Sequence, residues 1–154
     1  NDSRYLLASD AGYGFVATFE ELLTRNKSGK AVLSARGAGV LPPQRVFDYE
    51  DDWVCAITDS GRLLIFPLAE LPLLSRGKGV KLVNIPPSRY KSGEEKLAGI
   101  AVFREGDSLQ LYAGKQHMRL KPSDVENFIG ARAQRGRALP RGYKRPTAIE
   151  VIHE

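Results

Sequence analysis

Three small clusters of Arg and Lys, each built around glycine, are the residues of this chain best suited to chemistry with an anion. They are Arg25, Lys27, Gly29 and Lys30; Arg76, Gly77, Lys78, Gly79 and Lys81; and Arg132, Arg135, Gly136 and Arg137. Glycines flanked by cations let backbone N–H groups approach a phosphate while the side chains neutralise it, and contacts of that kind hold a nucleic acid without reading its bases. The third cluster runs on through Arg141, Gly142, Tyr143, Lys144 and Arg145. Residues 115 to 145, which begin with Lys115, Arg119 and Lys121, hold nine Lys and Arg against Asp124 and Glu126, a net of +7, while the rest of the chain carries −2. Such asymmetry is the footprint of a nucleic-acid or anionic-surface binder. A solvated basic face that keeps a protein soluble gives the same totals.

Other chemistries find little support. His117 and His153 are the only histidines, and neither has a Cys or a second His at metal-ligand spacing. The carboxylate pairs Asp51-Asp52 and Glu94-Glu95 fall among turn residues, where solvation is the expected role rather than acid–base work. Gly12-Tyr13-Gly14 lacks the lysine and the following helix of a phosphate loop and reads as a hairpin turn. Cys55, the single cysteine, sits in the apolar run Trp53-Val54-Cys55-Ala56-Ile57 and reads as core. One cysteine excludes an internal disulfide and points to a reducing cytoplasm. No apolar stretch approaches the ~18 residues of a membrane span. No catalytic, metal or cofactor site is expected within these residues.

The elements that must position the clusters are strands. Short runs rich in Val, Ile, Leu and aromatics alternate with Gly, Pro and Asp turns, the pattern of an all-β chain. Strands are predicted at 5–9, 15–18, 31–33, 44–49, 53–58, 62–66, 81–84, 97–103, 108–113, 117–120 and 147–152, with short helices at 20–23 and 123–128 and a mobile loop over 88–96. Gly12, Gly14, Gly61 and Gly106 fall where tight turns need positive φ. The clusters recur with the strands. Phe19 to Phe66 spans 47 residues and Phe66 to Leu120 54, while Gly29 to Gly79 spans 50 and Gly79 to Gly136 57. The prolines Pro42-Pro43 and Pro86-Pro87 follow each of the first two clusters. A period near 50 with several strands per unit predicts blades of a propeller-like array. The units run roughly over 5–51, 52–107 and 108–154, each a four-stranded antiparallel blade presenting one basic loop. Three such blades form an open arc, and the ligand suited to a curved track of positive charge is a bent polyanion. With 154 residues, 42% apolar and 27% charged, the chain is one domain or a piece of one. It opens on Asn1-Asp2-Ser3-Arg4 and reads as a fragment of a longer polypeptide.

Several of these residues resemble a known family. Ser9-Asp10-Ala11-Gly12-Tyr13-Gly14-Phe15, Gly61-Arg62 through Phe66-Pro67 with Leu71-Pro72, Ser75-Arg76-Gly77-Lys78-Gly79 and Ile85-Pro86 are similar to the C-terminal domain of the A subunit of bacterial DNA topoisomerase IV, and the resemblance covers essentially the whole chain. It implies a β-pinwheel whose positively charged rim binds and bends duplex DNA, with the fragment as the C-terminal part of an open pinwheel. It also implies that the catalytic tyrosine, the ATP and Mg requirements and the contacts with the enzyme's B subunit lie in the rest of the parent enzyme, a chromosome-associated protein of the bacterial cytoplasm. The related gyrase domain carries a Gln-Arg-Arg-Gly-Gly-Lys-Gly box that drives wrapping; Ser75-Arg76-Gly77-Lys78-Gly79 and Gln134-Arg135-Gly136-Arg137 are partial versions of it. A gyrase-type wrapping domain and a propeller used for protein–protein contact are the alternatives, the second requiring an exposed apolar patch.

Overall fold

The computed structural model describes residues 3–18, 38–140, 143 and 145–153. Arg25, Lys27, Lys30, Arg141 and Lys144 lie outside these residues, as do the strand expected at 31–33 and the helix expected at 20–23. The first unit contributes β1 (Arg4–Ala8), β2 (Tyr13–Thr18) and β3 (Gln44–Val46). The second contributes β4 (Trp53–Thr58), β5 (Arg62–Pro67), the two-residue β6 (Val80–Lys81) and β7 (Leu97–Phe103). The third contributes β8 (Ser108–Ala113), β9 (Gln116–Leu120), β10 (Arg137–Ala138) and β11 (Ala148–Ile152). All their pairings are antiparallel. The result is an open β-pinwheel arc of three blades.

Sequence units and sheets are not the same objects. The sheet orders are β3-β1-β2-β6, β10-β5-β4-β7 and β11-β8-β9. Each unit builds its own blade from a hairpin and a last strand, but the second and third units send their third strand to the outer edge of the preceding blade. Blades one and two therefore have four strands, and blade three has three among the described residues. At the opposite, inner edges of the sheets, β7 lies against both β3 and β11.

Residue types explain why the strands read as unbroken apolar runs. A strand presents alternate side chains to opposite faces, and here both faces of the middle blade are covered. Val54, Ala56, Leu64, Phe66, Ile100 and Val102 enter the core between blades one and two. Their neighbours Cys55, Ile57, Leu63, Ile65, Ala101 and Phe103 enter the core between blades two and three. Cys55 is fully buried, as expected, and burial pushes its thiol pKa up, away from a nucleophile's range.

The helix over 123–128 is present as α2 (Pro122–Val125) continued by a 3-10 turn at Glu126–Phe128, with the Asp124 carboxylate accepting the Lys121 N–H at 3.0 Å. The loop expected over 88–96 is instead ordered. It opens with a short helix, α1 (Pro87–Lys91), whose first position holds proline, where the missing N–H costs nothing. Gly12, Gly61 and Gly106 have positive φ as expected. Gly14 does not; it lies within β2, where an added Cβ would stand 2.2 Å from the Leu7 carbonyl oxygen, so close strand approach is what requires it.

Candidate nucleic-acid interface

The two described basic clusters sit on the strands that cross between blades. β6 pairs with β2 through Gly14↔Val80 and Tyr13↔Lys81, and β10 pairs with β5 through Leu63↔Arg137 and Arg62↔Ala138. In both crossings the residue after the strand donates its N–H to the glycine of the preceding hairpin turn, Leu82 to Gly12 and Leu139 to Gly61, each at 2.8 Å. Arg76–Lys81 therefore decorates the outer edge of blade one, and Arg132–Arg137 that of blade two. A basic loop belongs to the blade before its own unit.

The glycine shared by the two clusters has an intramolecular cause. Gly79 and Gly136 hold φ of +82° and +78°. An added Cβ at Gly79 would stand 2.1 Å from the Gly14 carbonyl oxygen, and at Gly136 2.6 Å from that of Leu63. These glycines bring a crossing strand against its host strand rather than opening the backbone to phosphate. Gly77, at φ +128° with open space around it, is set by turn geometry alone.

The arginines divide sharply. Arg135 donates from Nη1 to the Asn84 carbonyl at 2.7 Å and lies 3.0 Å from a carboxylate oxygen of Glu95. Arg132 donates from Nη1 to the Lys81 carbonyl at 2.7 Å, and its N–H donates to Glu70 Oε1. Both guanidinium groups tie the third unit's loop to the second unit. Glu95, which Arg135 helps surround, is the centre of this junction. It is 1% exposed and accepts from the Ser60 hydroxyl at 2.5 Å and from Arg89 Nε at 3.1 Å. Burial alone would raise its pKa, but Ser60, Thr58, Arg135 and Arg89 outweigh burial and hold it at about 2, against an ordinary 4.5.

Both carboxylate pairs expected in solvated turns thus split into one exposed and one buried member. Glu94 is exposed, and forms an ion pair with Arg89; Glu95 is the buried hub. Asp51 is exposed, while Asp52, 2% exposed, accepts the Phe47 and Asp48 N–H groups through Oδ2 at 2.6 and 2.9 Å. In sequence the two members of a pair look alike. Asp10 and Asp59 follow a shared rule that the repeat could have revealed: each latches a returning segment, Asp10 accepting from Gly39 N–H and Tyr90 O–H, Asp59 from Lys96 N–H.

Most of the remaining described cations of the clusters are exposed. Arg76, Lys115, Arg119 and Arg145 are exposed, with no side-chain hydrogen bond or ion pair among the described residues. The Lys121 side chain is equally exposed, and Arg137 donates to the Asn127 carbonyl from an exposed position. Lys78 places its ammonium 3.9 Å from the centre of the Tyr13 ring, and Lys81 donates to Asn84 Oδ1 at 3.3 Å. Lys115, Arg119 and Lys121 gather along β9, the outermost described strand of blade three, and the Tyr143 hydroxyl, two residues before Arg145, donates to the His117 carbonyl of that strand at 2.9 Å. His117 and His153 lie apart, against Gln110 and Asp107 respectively, and among the described residues no group of three or more His, Cys, Asp or Glu could hold a metal ion.

Comparison with known proteins bears on this arrangement. The family described as DNA gyrase C-terminal domain, beta-propeller, matches residues 52–104. The chain is 46% identical over 152 residues to the A subunit of DNA topoisomerase 4 from Pseudomonas aeruginosa and 41% identical over 152 residues to its counterpart from Escherichia coli K12. Each alignment covers 98% of this chain and 20% of the relative, so the chain spans about a fifth of their length. The solved E. coli ParC C-terminal domain superposes with a TM-score of 0.88 at 40% identity, over 99% of this chain and 62% of that one. The DNA gyrase A C-terminal domain superposes with a TM-score of 0.73 at 16% identity, over 99% of this chain and 50% of that one, a likeness of fold alone.

Proposed function

The chain belongs to the family of the topoisomerase IV A subunit, as a counterpart of its C-terminal domain, and from that premise we propose that it is a non-catalytic module that binds and bends duplex DNA without regard to sequence. The observation that carries this reading is the placement of Arg76, Arg137, Lys115, Arg119 and Lys121 on the outer edges of three successive blades of one arc. Cations spread along a convex edge neutralise successive phosphates only if the duplex curves to follow them, so binding and bending are one event.

Lys78, Lys81 and Arg145 extend the track. Arg25, Lys27, Lys30, Arg141 and Lys144 belong to the same proposal on sequence grounds. Arg132 and Arg135 act one step back, fixing the loop that presents Arg137. The module itself takes no cofactor. In the parent enzyme, cleavage chemistry, ATP and Mg use and pairing with the B subunit fall to other segments, and this module helps choose which DNA geometry is decatenated or relaxed on the bacterial chromosome. The test is competition binding. Unrelated duplexes of equal length should displace one another equally from the chain, whereas a preference above about tenfold for one sequence would contradict backbone-only contact.

A further inference from the structure

The turns that join one blade to the next carry the opposite charge from the outer edges. Phe47–Asp52 links β3 to β4 and Arg104–Asp107 links β7 to β8, so both lie at the same end of the sheets. Two adjoining clefts open there and share Trp53 and Glu105. The larger, of about 770 Å³, is lined by five carboxylates (Asp48, Glu50, Asp51, Asp52 and Glu105) and one guanidinium, Arg104, which lies 4.7 Å from the centre of the Phe47 ring. The smaller, of about 310 Å³, has a largely apolar lining that includes Phe103, Val125 and Ile129, with Glu126 and Asp107 at its sides. Phe47 and Ile129, near the two ends of this surface, are each 44% exposed.

One observation marks the groove as a surface for a partner. Asp52 is 2% exposed and is spent on the Phe47 and Asp48 N–H groups, so the outward charge of the groove is carried by the exposed Asp48, Glu50, Asp51 and Glu105. The exposed apolar residues sit beside a concentration of negative charge in a chain whose net charge is +5, so the charge is local and not a feature of the whole surface. Five carboxylates repel phosphate, which excludes DNA. The apolar cleft beside them has no use for a small polar cation.

We propose that this groove docks a basic, amphipathic segment of another protein, with Arg or Lys side chains against Asp48–Asp52 and Glu105 and an apolar side chain in the Phe103–Ile129 cleft. Arg104 already lies over the Phe47 ring, so the aromatic wall that favours a partner guanidinium is the half-buried Trp53, which lines both clefts. This surface is argued from its own residues and does not rest on the DNA reading, and none of the cations assigned to the outer edges lines either cleft.

The probe is a synthetic twelve-residue peptide of alternating Arg-Arg and Leu-Leu pairs, labelled for fluorescence anisotropy in physiological salt. A matched peptide with Ser in place of Leu is the charge-only control. The chain should bind the first peptide at least tenfold more tightly than the control. Glu50→Lys with Glu105→Lys should weaken that binding at least tenfold, and Ile129→Ser several-fold, with unchanged melting temperatures because all three positions are exposed. Arg119→Ala should leave peptide binding unaltered. Failure of the peptide to bind, equal binding of the control, or indifference to the charge reversal would each overturn the proposal.

Discussion

The two crossing loops, Arg76–Lys81 and Arg132–Arg137, share a backbone and differ in what their cations do. Each places a left-handed glycine where a Cβ would strike the host strand, and each is followed by the same 2.8 Å hydrogen bond to a turn glycine. The residue just before the left-handed glycine is Lys78 in one loop and Arg135 in the other. Lys78 lies over the half-buried Tyr13 ring, whereas Arg135 reaches inward to Asn84 and Glu95. Each loop holds three cations in six residues, and the second is therefore the less available one. A backbone motif repeated by the fold guarantees the position of a side chain's Cα, not the direction of its charge, so counting cations in sequence overstates the second loop as a ligand site and understates it as a joint.

The comparison is sharpened first at the glycines. Gly79→Ala and Gly136→Ala should each cost roughly 3 kcal/mol or more, since a strained φ and a backbone clash coincide. Gly77→Ala, strained in φ but facing open space, should cost about 1 to 2 kcal/mol by the same reckoning. Thermal melts of the three variants settle it; equal losses would mean that the clashes relax and that the crossing geometry is not what requires glycine.

The junction comes next. Glu95→Gln should lower stability by about 2 to 3 kcal/mol, because it leaves Arg89 and Arg135 beside a neutral group, and this corresponds to a melting temperature lower by about 5 to 10 °C. Glu94→Gln, at an exposed position, should stay within about 0.5 kcal/mol. The pH dependence has a definite sign. The folded Glu95 pKa of about 2 lies below its ordinary 4.5, so its contribution is fully present above pH 4.5 and is lost as pH falls through the folded value. Denaturant midpoints measured between pH 5 and 2 should fall more steeply for the parent chain than for Glu95→Gln. Parallel curves would show that Glu95 titrates normally.

A smaller effect separates the two arginines of the second loop. Arg135→Ala should lower the melting temperature, while Arg137→Ala should leave it unchanged and weaken duplex binding by about one phosphate contact. The smallest is Lys78→Ala, where loss of the contact with Tyr13 should cost about 0.5 to 1 kcal/mol. If Arg135→Ala reduced DNA affinity more than Arg137→Ala at equal stability, the division of labour between these two arginines would be reversed.

Much of the fold is legible in the sequence because hairpins announce themselves locally. Ser9–Gly12 and Thr58–Gly61 carry the turn chemistry, and the apolar runs on either side fix the strands. β10 is not legible: Arg137-Ala138 is two exposed residues with no apolar pattern, and only pairing with Leu63 and Arg62, more than 70 positions earlier, makes it a strand. The same long-range pairing hides the exchange of strands between units. α1 leaves no signal because its five residues bury none of their side chains, so there is no periodicity to read. At the candidate interface the outward cations are legible as charge. The inward turn of Arg132 and Arg135 is not, since it depends on Glu95 and on carbonyls of residues 81 and 84 that sequence does not place nearby.

The claim that the outer edges form one phosphate-binding track rests most directly on the salt dependence of duplex affinity. If about six phosphates are engaged, log K should fall against log salt with a slope of about −5, and Arg76→Ala with Arg137→Ala, one residue from each of two outer edges, should flatten it to about −3. A parent slope near zero, or a double variant whose slope and affinity match the parent, would contradict the account.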